Sequence, residues 1–412
     1  MRQAEAVAAD PAGAGTALAD RLDRTRWALL AGNFVIASGV MVVTGTLNDL
    51  ARDLQVSVAV SGQLITIAAA VMCFGAPALA GIVAGWDRRR LLTLALLWYG
   101  VWHLISAMAP SFAVLLPVRA LTVLGAAVFT PQAAAAIGFM TTPQQRGRAI
   151  TFIFLGWSLA SVLGVPMGSW IGETAGWASA FAVVGVLSFA AAAAVWWAMP
   201  DGVKPAALSL EAWKSVFTSP VLMVVVLVTA LMGAGQFTLF SYLAPYLKHV
   251  IGLKPTMLGL LFFWFGLFGF IGNVLLSRYI DRIGAARSVM IVAGLIALGL
   301  LVWPLATTAL GAALVIIPWG LGCFSSNSAQ QARLGLAAPL LAPALMALNT
   351  SAIYLGQALG AAGGGWLITH GEARGPQHAY EWLSWVGVGW LVLALILSGW
   401  AARRMRGTKG VS

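Results

Sequence analysis

The sequence predicts an all-α membrane protein whose twelve transmembrane helices form two pseudo-symmetric six-helix bundles. Sixty per cent of the 412 residues are hydrophobic and only 9% are charged, too few to cover the surface of a soluble protein of this length. Twelve apolar stretches approach or exceed the roughly 20 residues that a bilayer-spanning helix needs. The second half of the chain also repeats features of the first half. Lipid is therefore the expected solvent for most of the molecule.

Short breaks rich in Pro, Gly and Arg separate the apolar stretches. The predicted spans are 27–47, 61–84, 91–109, 112–138, 149–171, 177–199, 220–246, 256–279, 286–306, 309–332, 341–369 and 381–402. We expect a disordered cytoplasmic tail at 1–26, a bundle at 27–199, a cytoplasmic linker at 200–219, a second bundle at 220–402 and a cytoplasmic tail at 403–412. A short surface helix is expected in the linker, around Leu208, Leu210, Trp213 and Phe217.

The basic residues predict the orientation. With the N-terminus in the cytoplasm, nineteen Lys and Arg residues fall in cytoplasmic segments and four fall in outer loops, while Arg119 lies within a span. Such an excess is typical of the cytoplasmic side of a membrane protein. We therefore expect a multi-pass protein of a bacterial inner membrane with both termini in the cytoplasm. The net charge of +11 serves topology, and nucleic acid is not an expected partner.

The internal repeat predicts the two bundles. A shift of 196 residues aligns segment 158–171 with segment 354–367, including their shared glycines and a tryptophan. A shift of 194 residues places Asp87 on Asp281, and each follows the second helix of its half. Two matches at nearly one period indicate duplication of a six-helix unit. Parallel repeats of this kind face each other across a central cavity in membrane transporters.

The two repeated acidic–basic loops carry a family resemblance. The first contains Asp87 and Arg88, and the second contains Asp281 and Arg282. Both resemble the signature loop of the major facilitator superfamily, although Gly-Trp stands before the acid in the first copy, in place of the usual acid–arginine pair. An acid at a helix end can latch two sides of a gate by charge-assisted hydrogen bonds, so all four residues are candidates for gating. The alternative is that these charges only set the orientation of the chain.

Small residues recur along the fifth span around a central proline. They are Gly156, Gly164, Pro166, Gly168 and Gly172. This stretch resembles the antiporter signature in the fifth helix of drug–proton exchangers. Glycines at intervals of four let two helices approach backbone to backbone, and generic helix packing is the competing interpretation. The resemblance favours an exporter.

The resemblance covers most of residues 27–402. It is closest to the arabinose-efflux-like branch of drug and sugar exporters, whose members carry sugars, nucleosides, amphenicols and other drugs. The segments that carry it are GTLNDLARDL, APALAGIVAGWDRRRLL, FSYLAPYL, NSAQQARL and ALNTSAIYLGQALGAAGGG.

Few ionisable groups are available for proton coupling. Arg119 is the only charged side chain that we place deep in a span, at the position of the superfamily's fourth-helix arginine, and burial of a charge is costly enough to indicate function. His103 reaches a similar depth on the preceding helix, with a packed histidine as the alternative. Asp49, at the outer end of the first helix, is the best available carboxylate, with a solvated helix end as the alternative. These three residues are the candidates for proton coupling.

Polar and aromatic residues on the helices that border the cavity in the family are candidates for binding the substrate. Buried amides can instead tie helices together, at about 1 kcal/mol each. The candidates are Asn33, Arg119, Gln132, Trp157, Gln236, Phe240, Tyr242, Asn327, Asn349, Tyr354 and Gln357.

These observations predict a secondary transporter, a proton-coupled exporter of drug-, sugar- or nucleoside-like molecules that works by alternating access. The alternatives are a proton-linked importer of a small metabolite and a transport-inactive membrane sensor. No phosphate-binding loop, zinc pair or catalytic triad is present in the sequence, so we expect no enzyme, cofactor or metal. The expected partners are a small organic substrate, protons and the lipid bilayer, and the expected assembly is a monomer.

Overall fold

The structure is a computed structural model that describes residues 11–204, 209–373 and 378–407. In these residues twelve helices are long and apolar enough to cross a membrane, which confirms the predicted fold class. We number these membrane helices in chain order. They are α1 (Pro11–Asp53), α2 (Gln63–Ile82), α3 (Arg88–Ala107), α4 (Phe112–Met140), α5 (Arg146–Leu159, a π turn at Ala160–Gly164, and Val165–Ala175), α6 (Trp177–Ala198), α7 (Pro220–Phe240), α8 (Pro255–Ile283), α9 (Ala285–Leu301), α10 (Ala309–Ala337), α11 (Ala342–Glu372) and α12 (Leu383–Gly407).

Within the described ranges, five shorter helical segments connect or extend the membrane helices. They are α-helices at Val58–Ser61, Leu210–Thr218 and Leu243–His249, and single 3₁₀ turns at Trp303–Leu305 and Pro339–Leu341. The segment Leu210–Thr218 is the helix predicted in the linker, and Trp213 stacks on Phe217 there with ring centroids 5.8 Å apart. Leu208 lies outside the described residues.

The beginning of the chain departs from the prediction. We expected disorder up to residue 26, but α1 already begins at Pro11. Residues 11–26 are rich in alanine, the strongest helix former, and Arg26 pairs with Asp23 at 2.7 Å on the same helix. The expectation of disorder is therefore wrong for residues 11–26, and residues 1–10 lie outside the described part of the chain.

Because the number of membrane helices is even, α1 begins and α12 ends on the same face of the bundle. We call it the terminal face, and it also holds the α4–α5 and α8–α9 loops. The opposite face holds the loops that follow α1, α3, α5, α7, α9 and α11.

The two six-helix bundles contain related helix junctions. In the first, Asn33 Nδ2 on α1 donates a hydrogen bond to Ile153 O on α5 at 3.1 Å, and Thr130 Oγ1 on α4 donates to Asn33 Oδ1 at 3.1 Å. In the second, Thr229 Oγ1 on α7 donates to Asn349 Oδ1 on α11 at 2.6 Å. A shift of 196 residues places Asn33 on Thr229 and Ile153 on Asn349. The same helix–helix junction thus occurs in both bundles. Its asparagine lies on α1 in the first bundle and on α11, the counterpart of α5, in the second.

The two bundles meet along the α5–α8 and α2–α11 seams, and α5 also contacts α10 while α4 contacts α11. Asn273 Nδ2 on α8 donates to Ser158 Oγ on α5 at 2.9 Å. On the other seam, Ser351 Oγ on α11 donates to Cys73 O on α2, and Cys73 Sγ donates to Ser351 O at 3.6 Å. In the described residues, the hydrogen bonds along these seams lie between the middle of the bundle and the terminal face.

Candidate transport site and gate

Arg119 is fully buried on α4, and its charge is compensated by backbone of α1. Its Nη1 donates to Gly39 O at 2.9 Å, and its Nη2 donates to Val40 O at 3.0 Å. A planar guanidinium can reach two successive carbonyls at once, which an ammonium group cannot do with the same geometry. The hydroxyls of Tyr99 and Tyr354 lie within electrostatic range of the guanidinium. Tyr354 belongs to the second bundle, so Arg119 lies close to the boundary between the two halves.

His103 meets α1 at the same glycine as Arg119. A Cβ on Gly39 would lie 2.5 Å from Tyr99 Oη and 2.7 Å from His103 Nε2, so these side chains fill the space that a larger residue would need. His103 Nδ1 lies 2.9 Å from Tyr99 O, and the two rings are 4.2 Å apart. Tyr99 Oη donates to Ile36 O at 2.9 Å. The structure therefore brings two predicted coupling residues together around Gly39, with Tyr99 as a third member.

Asp49 lies apart from this cluster. It is ten positions beyond Gly39 on α1, which corresponds to about 15 Å along the helix. Its carboxylate accepts a hydrogen bond from Arg52 Nη2 at 2.9 Å, and the side chain is 12% exposed. A Cβ on Gly172 of α5 would lie 3.2 Å from Asp49 Oδ2. Asp49 is thus a largely buried carboxylate near the opposite face. It is paired with Arg52 and lies beside the end of α5.

Three of the candidate substrate residues hold helices together. Asn33 and Asn349 are fully buried in the repeated junctions. Tyr242 Oη donates to Ala361 O on α11 at 2.7 Å. Their polar atoms are used within the protein, as the helix-packing alternative expected.

Three other candidates have buried polar atoms without a partner in the described residues. They are Oε1 of Gln132, Oε1 of Gln236 and Nε1 of Trp157. An unpaired buried polar atom costs about 1–3 kcal/mol, so each is suited to bind a ligand or a water molecule.

The remaining candidates are half-buried. Tyr354 and Gln357 lie on α11, and Asn327 Oδ1 on α10 accepts a hydrogen bond from Asn349 Nδ2 at 3.3 Å. Phe240 belongs to an aromatic cluster of the second bundle, with ring centroids 5.2 Å from Phe265. Tyr354, close to Arg119, is the candidate that links the second bundle to the charged cluster.

The glycines of α5 pack directly on α1. A Cβ on Gly156 would lie 2.5 Å from Leu30 O, one on Gly164 would lie 2.8 Å from Ser38 Oγ, and one on Gly172 would lie 2.9 Å from Thr46 Cγ2. Gly168 is buried in ordinary contact with Val42, whereas Pro166 is exposed beyond the π turn. The glycine repeat of α5 is therefore a contact surface for α1, interrupted by a π turn and a proline.

Asp281 joins the two bundles at the terminal face. Its carboxylate oxygens accept hydrogen bonds from Arg148 N at 3.1 and 3.2 Å, and a Cβ on Gly147 would lie 2.5 Å from Asp281 Oδ1. Gly147 and Arg148 lie in the first turn of α5, where free N–H groups and the helix dipole favour an anion. Asp281, at the end of α8, thus acts as a cap for a helix of the other bundle.

The other three gating candidates make no such contact in the described residues. Asp87 Oδ2 accepts from Gly202 N at 2.8 Å, and Arg88 is buried, donating to Val83 O at 3.1 Å and Ala84 O at 2.9 Å. These bonds stay within the first bundle and the start of the linker. The side chain of Arg282 lines a groove between α5 and α8.

Arg333 is a buried cation that sequence reasoning missed. We expected Arg119 to be the only charged side chain deep in a span, but Arg333 is 3% exposed within α10. It donates to Ser398 Oγ at 2.9 Å and to Ser398 O at 3.2 Å. The predicted span ended at residue 332, whereas α10 continues through Gly335 to Ala337 and ends shortly before Pro339.

Comparison with known proteins identifies the family. The sequence profile of the Major Facilitator Superfamily matches residues 29–340. The chain belongs to the major facilitator superfamily. Solved structures of the superfamily share its fold: the human organic anion transporter MFSD10 (TETRAN) superposes with a TM-score of 0.75 at 16% identity, covering 92% of this chain and 99% of that one.

Curated members of the superfamily align along most of the chain. The inner membrane transport protein YdhP of Escherichia coli K12 is 27% identical over 92% of this chain and 95% of its own length. A probable sugar efflux transporter of Pasteurella multocida is 27% identical over 83% of this chain and 84% of its own. A chloramphenicol resistance protein of Streptomyces lividans is 32% identical over 64% and 67%. This major facilitator protein is thus similar to transporters whose names refer to efflux and drug resistance.

Proposed function

We propose that this major facilitator protein is a proton-coupled exporter of small organic molecules that works by alternating access. The observation that carries the proposal is the uneven joining of the two bundles. Asp281 caps α5 across the α5–α8 seam at the terminal face, and the seam hydrogen bonds identified among the described residues lie between that face and the middle of the bundle. A transporter with one central site needs a closed and an open side of this kind. The chloramphenicol resistance and sugar efflux relatives support export as the direction.

The terminal face is, in this proposal, the cytoplasmic side. Arg residues cluster at its helix ends, among them Arg88–Arg90 and Arg146, Arg148 and Arg287. The arrangement would then be closed to the cytoplasm. Substrate would leave toward the opposite face, and the return to the inward-open state would require the Asp281 cap to break.

The substrate site would lie between the Arg119 cluster and the half-buried face of α11. Tyr354 and Gln357 supply polar groups from the second bundle, and Gln132, Trp157 and Gln236 supply buried polar atoms that need a partner. Such a mixture of aromatic faces and separate hydrogen-bonding groups suits neutral or amphipathic molecules.

Proton coupling would use Asp49 as the titrating group. Protonation would release Arg52 from its 2.9 Å pair with Asp49 and alter the contact of the carboxylate with Gly172 on α5. Because α5 also carries the N-terminal turn that Asp281 caps, one helix connects the carboxylate to the gate. Arg119 and His103 would hold α1 in register during this movement.

The test is transport in reconstituted vesicles with an imposed pH gradient. Radiolabelled chloramphenicol, arabinose and uridine serve as probes, and vesicles with an acidic lumen should accumulate at least one of them against its gradient. Asp49→Asn should remove the dependence on the pH gradient while leaving probe exchange at equilibrium. Accumulation only when the outside is acidic would indicate a proton-linked importer. No movement of any probe under either gradient would contradict transport of this substrate class.

A further inference from the structure

A groove of about 490 Å³ lies between the two bundles at the terminal face. One wall is α5, from Arg148 to Leu155, and the other is α8, from Val274 to Arg282. The groove is therefore built from both halves of the protein. It lies beside the point where Asp281 of α8 caps the first turn of α5. It is separate from the Arg119 cluster and from the candidate substrate residues.

The groove is strongly cationic at its outer end. Arg148, Arg278 and Arg282 all line it with exposed side chains, and none of the lining residues is acidic. The acid next to Arg282 in sequence, Asp281, turns its carboxylate to the backbone N–H of Arg148 at 3.1 and 3.2 Å. Three arginines thus line one space, and no acidic residue is among its lining residues. Planar guanidinium groups match the oxygen geometry of phosphate particularly well.

The groove becomes apolar toward the middle of the bundle. Phe152 and Leu155 follow Arg148 on the same face of α5, about one and two helical turns deeper. Val274 lies about one turn deeper than Arg278 on α8 and is 38% exposed. Trp27 is 57% exposed and packs edge-on against Phe152 at 5.0 Å, and exposed tryptophans are typical of the membrane–water boundary. The charged end of the groove therefore lies at that boundary and its apolar end within the lipid.

We propose that this groove binds an anionic phospholipid of the surrounding bilayer. The three guanidinium groups would bind the headgroup phosphate, and the acyl chains would lie along Phe152, Leu155 and Val274. Basic pockets between membrane helices suit anionic headgroups for this reason. Because each wall belongs to a different bundle, the bound lipid bridges α5 and α8 and stabilises the closed terminal face. The proposal does not depend on the substrate, on proton coupling or on the direction of transport.

The binding test uses the purified full-length protein and lipids with matched acyl chains. Native mass spectrometry titrates phosphatidylglycerol and phosphatidylcholine onto wild type, onto a groove variant (Arg148→Gln, Arg278→Gln and Arg282→Gln) and onto a control variant (Arg287→Gln, Arg403→Gln and Arg404→Gln). The control removes the same charge from the same face of the protein, outside the groove. At about fivefold per guanidinium, the groove variant should bind phosphatidylglycerol about a hundredfold more weakly. The control should change the affinity by less than about fivefold, the effect of a single charge.

Further arms of the experiment distinguish a lipid site from a site for free anions. Inorganic phosphate at concentrations equal to the lipid should not displace phosphatidylglycerol, because it lacks the contacts with the apolar end. Displacement of phosphatidylglycerol by phosphate would show a free-anion site and overturn the proposal. Binding of phosphatidylcholine as tight as that of phosphatidylglycerol would also overturn it. So would equal losses of phosphatidylglycerol affinity in the groove and control variants. Should the groove variant fail to fold, the single Arg278→Gln and Arg278→Lys variants replace it. The glutamine variant should bind about fivefold more weakly than wild type, with the lysine variant between them. Unchanged binding in both would reject the site.

Discussion

At the scale of single residues, the buried charge of Arg119 is compensated by backbone carbonyl groups. The guanidinium bridges two successive carbonyls of α1, at Gly39 and Val40, and neither Asp49 nor any other carboxylate is its hydrogen-bond partner in the described residues. A cation held by neutral carbonyls has no fixed counter-charge to release. Its environment is therefore sensitive to any movement of α1 against α4.

Arg119→Lys should reduce transport by about tenfold or more while expression stays near wild type. The ammonium keeps the charge but cannot bridge Gly39 O and Val40 O as the planar fork does, and hydrogen bonds from charged groups are each worth about 1.5–3 kcal/mol. Arg119→Ala should abolish coupled transport without lowering the melting temperature, because it removes a buried charge. The measurement is probe transport driven by a pH gradient, with exposed Arg287→Lys as the control. Uphill transport by Arg119→Ala at a near wild-type rate would make Arg119 a structural residue.

The sequence predicted which residues matter at this scale better than it predicted their partners. Arg119 could be selected because a lone cation in an apolar helix is costly. Its acceptors could not, because backbone carbonyls look alike in a sequence. The same holds for Asp281, which the loop signature selected as a gating candidate but whose partner, the backbone N–H of Arg148, it could not identify. Tyr99 was missed because an isolated tyrosine in a membrane helix has no distinguishing pattern.

At the scale of helices, the repeated glycine surfaces determine how close the helices lie. The α5 glycines meet α1, and Gly356, Gly360 and Gly364 of α11 meet α7, where added Cβ atoms would collide with backbone oxygens. Periodicity predicted these glycines, since small residues at intervals of four lie on one face of a helix. It could not predict the π turn at Ala160–Gly164, which depends on how α5 fits against both α1 and α8.

Gly156→Ala should destabilise the protein by about 1–3 kcal/mol, because the new methyl group would lie 2.5 Å from Leu30 O and 2.7 Å from Phe34 N. Both atoms are backbone and cannot rotate away. The matched control is Gly294→Ala on α9, where no atom lies within 4 Å of the added Cβ. That change should be neutral or stabilise by up to about 1 kcal/mol, the difference in helix propensity. Melting temperatures in detergent provide the measurement, and equal values for the two variants would contradict close packing of α5 on α1.

Helix ends were predicted less well than helix number. The predicted spans 91–109 and 309–332 leave out Arg88 and Arg333, but both residues lie within helices and are buried. The Nη atoms of each have partners within the protein: those of Arg88 donate to carbonyls before α3, and those of Arg333 donate to Ser398 of α12. Hydropathy alone cannot anticipate such local compensation, because it scores every arginine as water-facing.

At the scale of the whole molecule, the terminal face is expected to be cytoplasmic. Reporter fusions after residue 412 and within the linker 200–219 should both show a cytoplasmic location, because basic residues concentrate on this face. The measurement is the activity of paired reporters that work on only one side of the membrane. A periplasmic signal at either position would contradict the orientation, and with it the proposal that the gate closed here is the inner one.

Alternating access can be measured most directly as two distances between the bundles. In a background with Cys73→Ser and Cys323→Ala, spin labels at positions 144 and 287 report on the terminal face, and labels at 173 and 256 report on the opposite face. Both pairs place one label in each bundle, on residues that are exposed in the structure. Double electron–electron resonance then gives the distribution of each distance.

Asp281→Asn is the variant to measure, because it removes the charge that caps α5 at 3.1 and 3.2 Å from Arg148 N. Losing a charge-assisted hydrogen bond of about 1.5–3 kcal/mol should shift the populations of the two states by about tenfold or more. We predict that the 144–287 distance lengthens while the 173–256 distance shortens. Unchanged distributions in both pairs, or lengthening of both together, would contradict a gate held closed by Asp281 and a mechanism of alternating access.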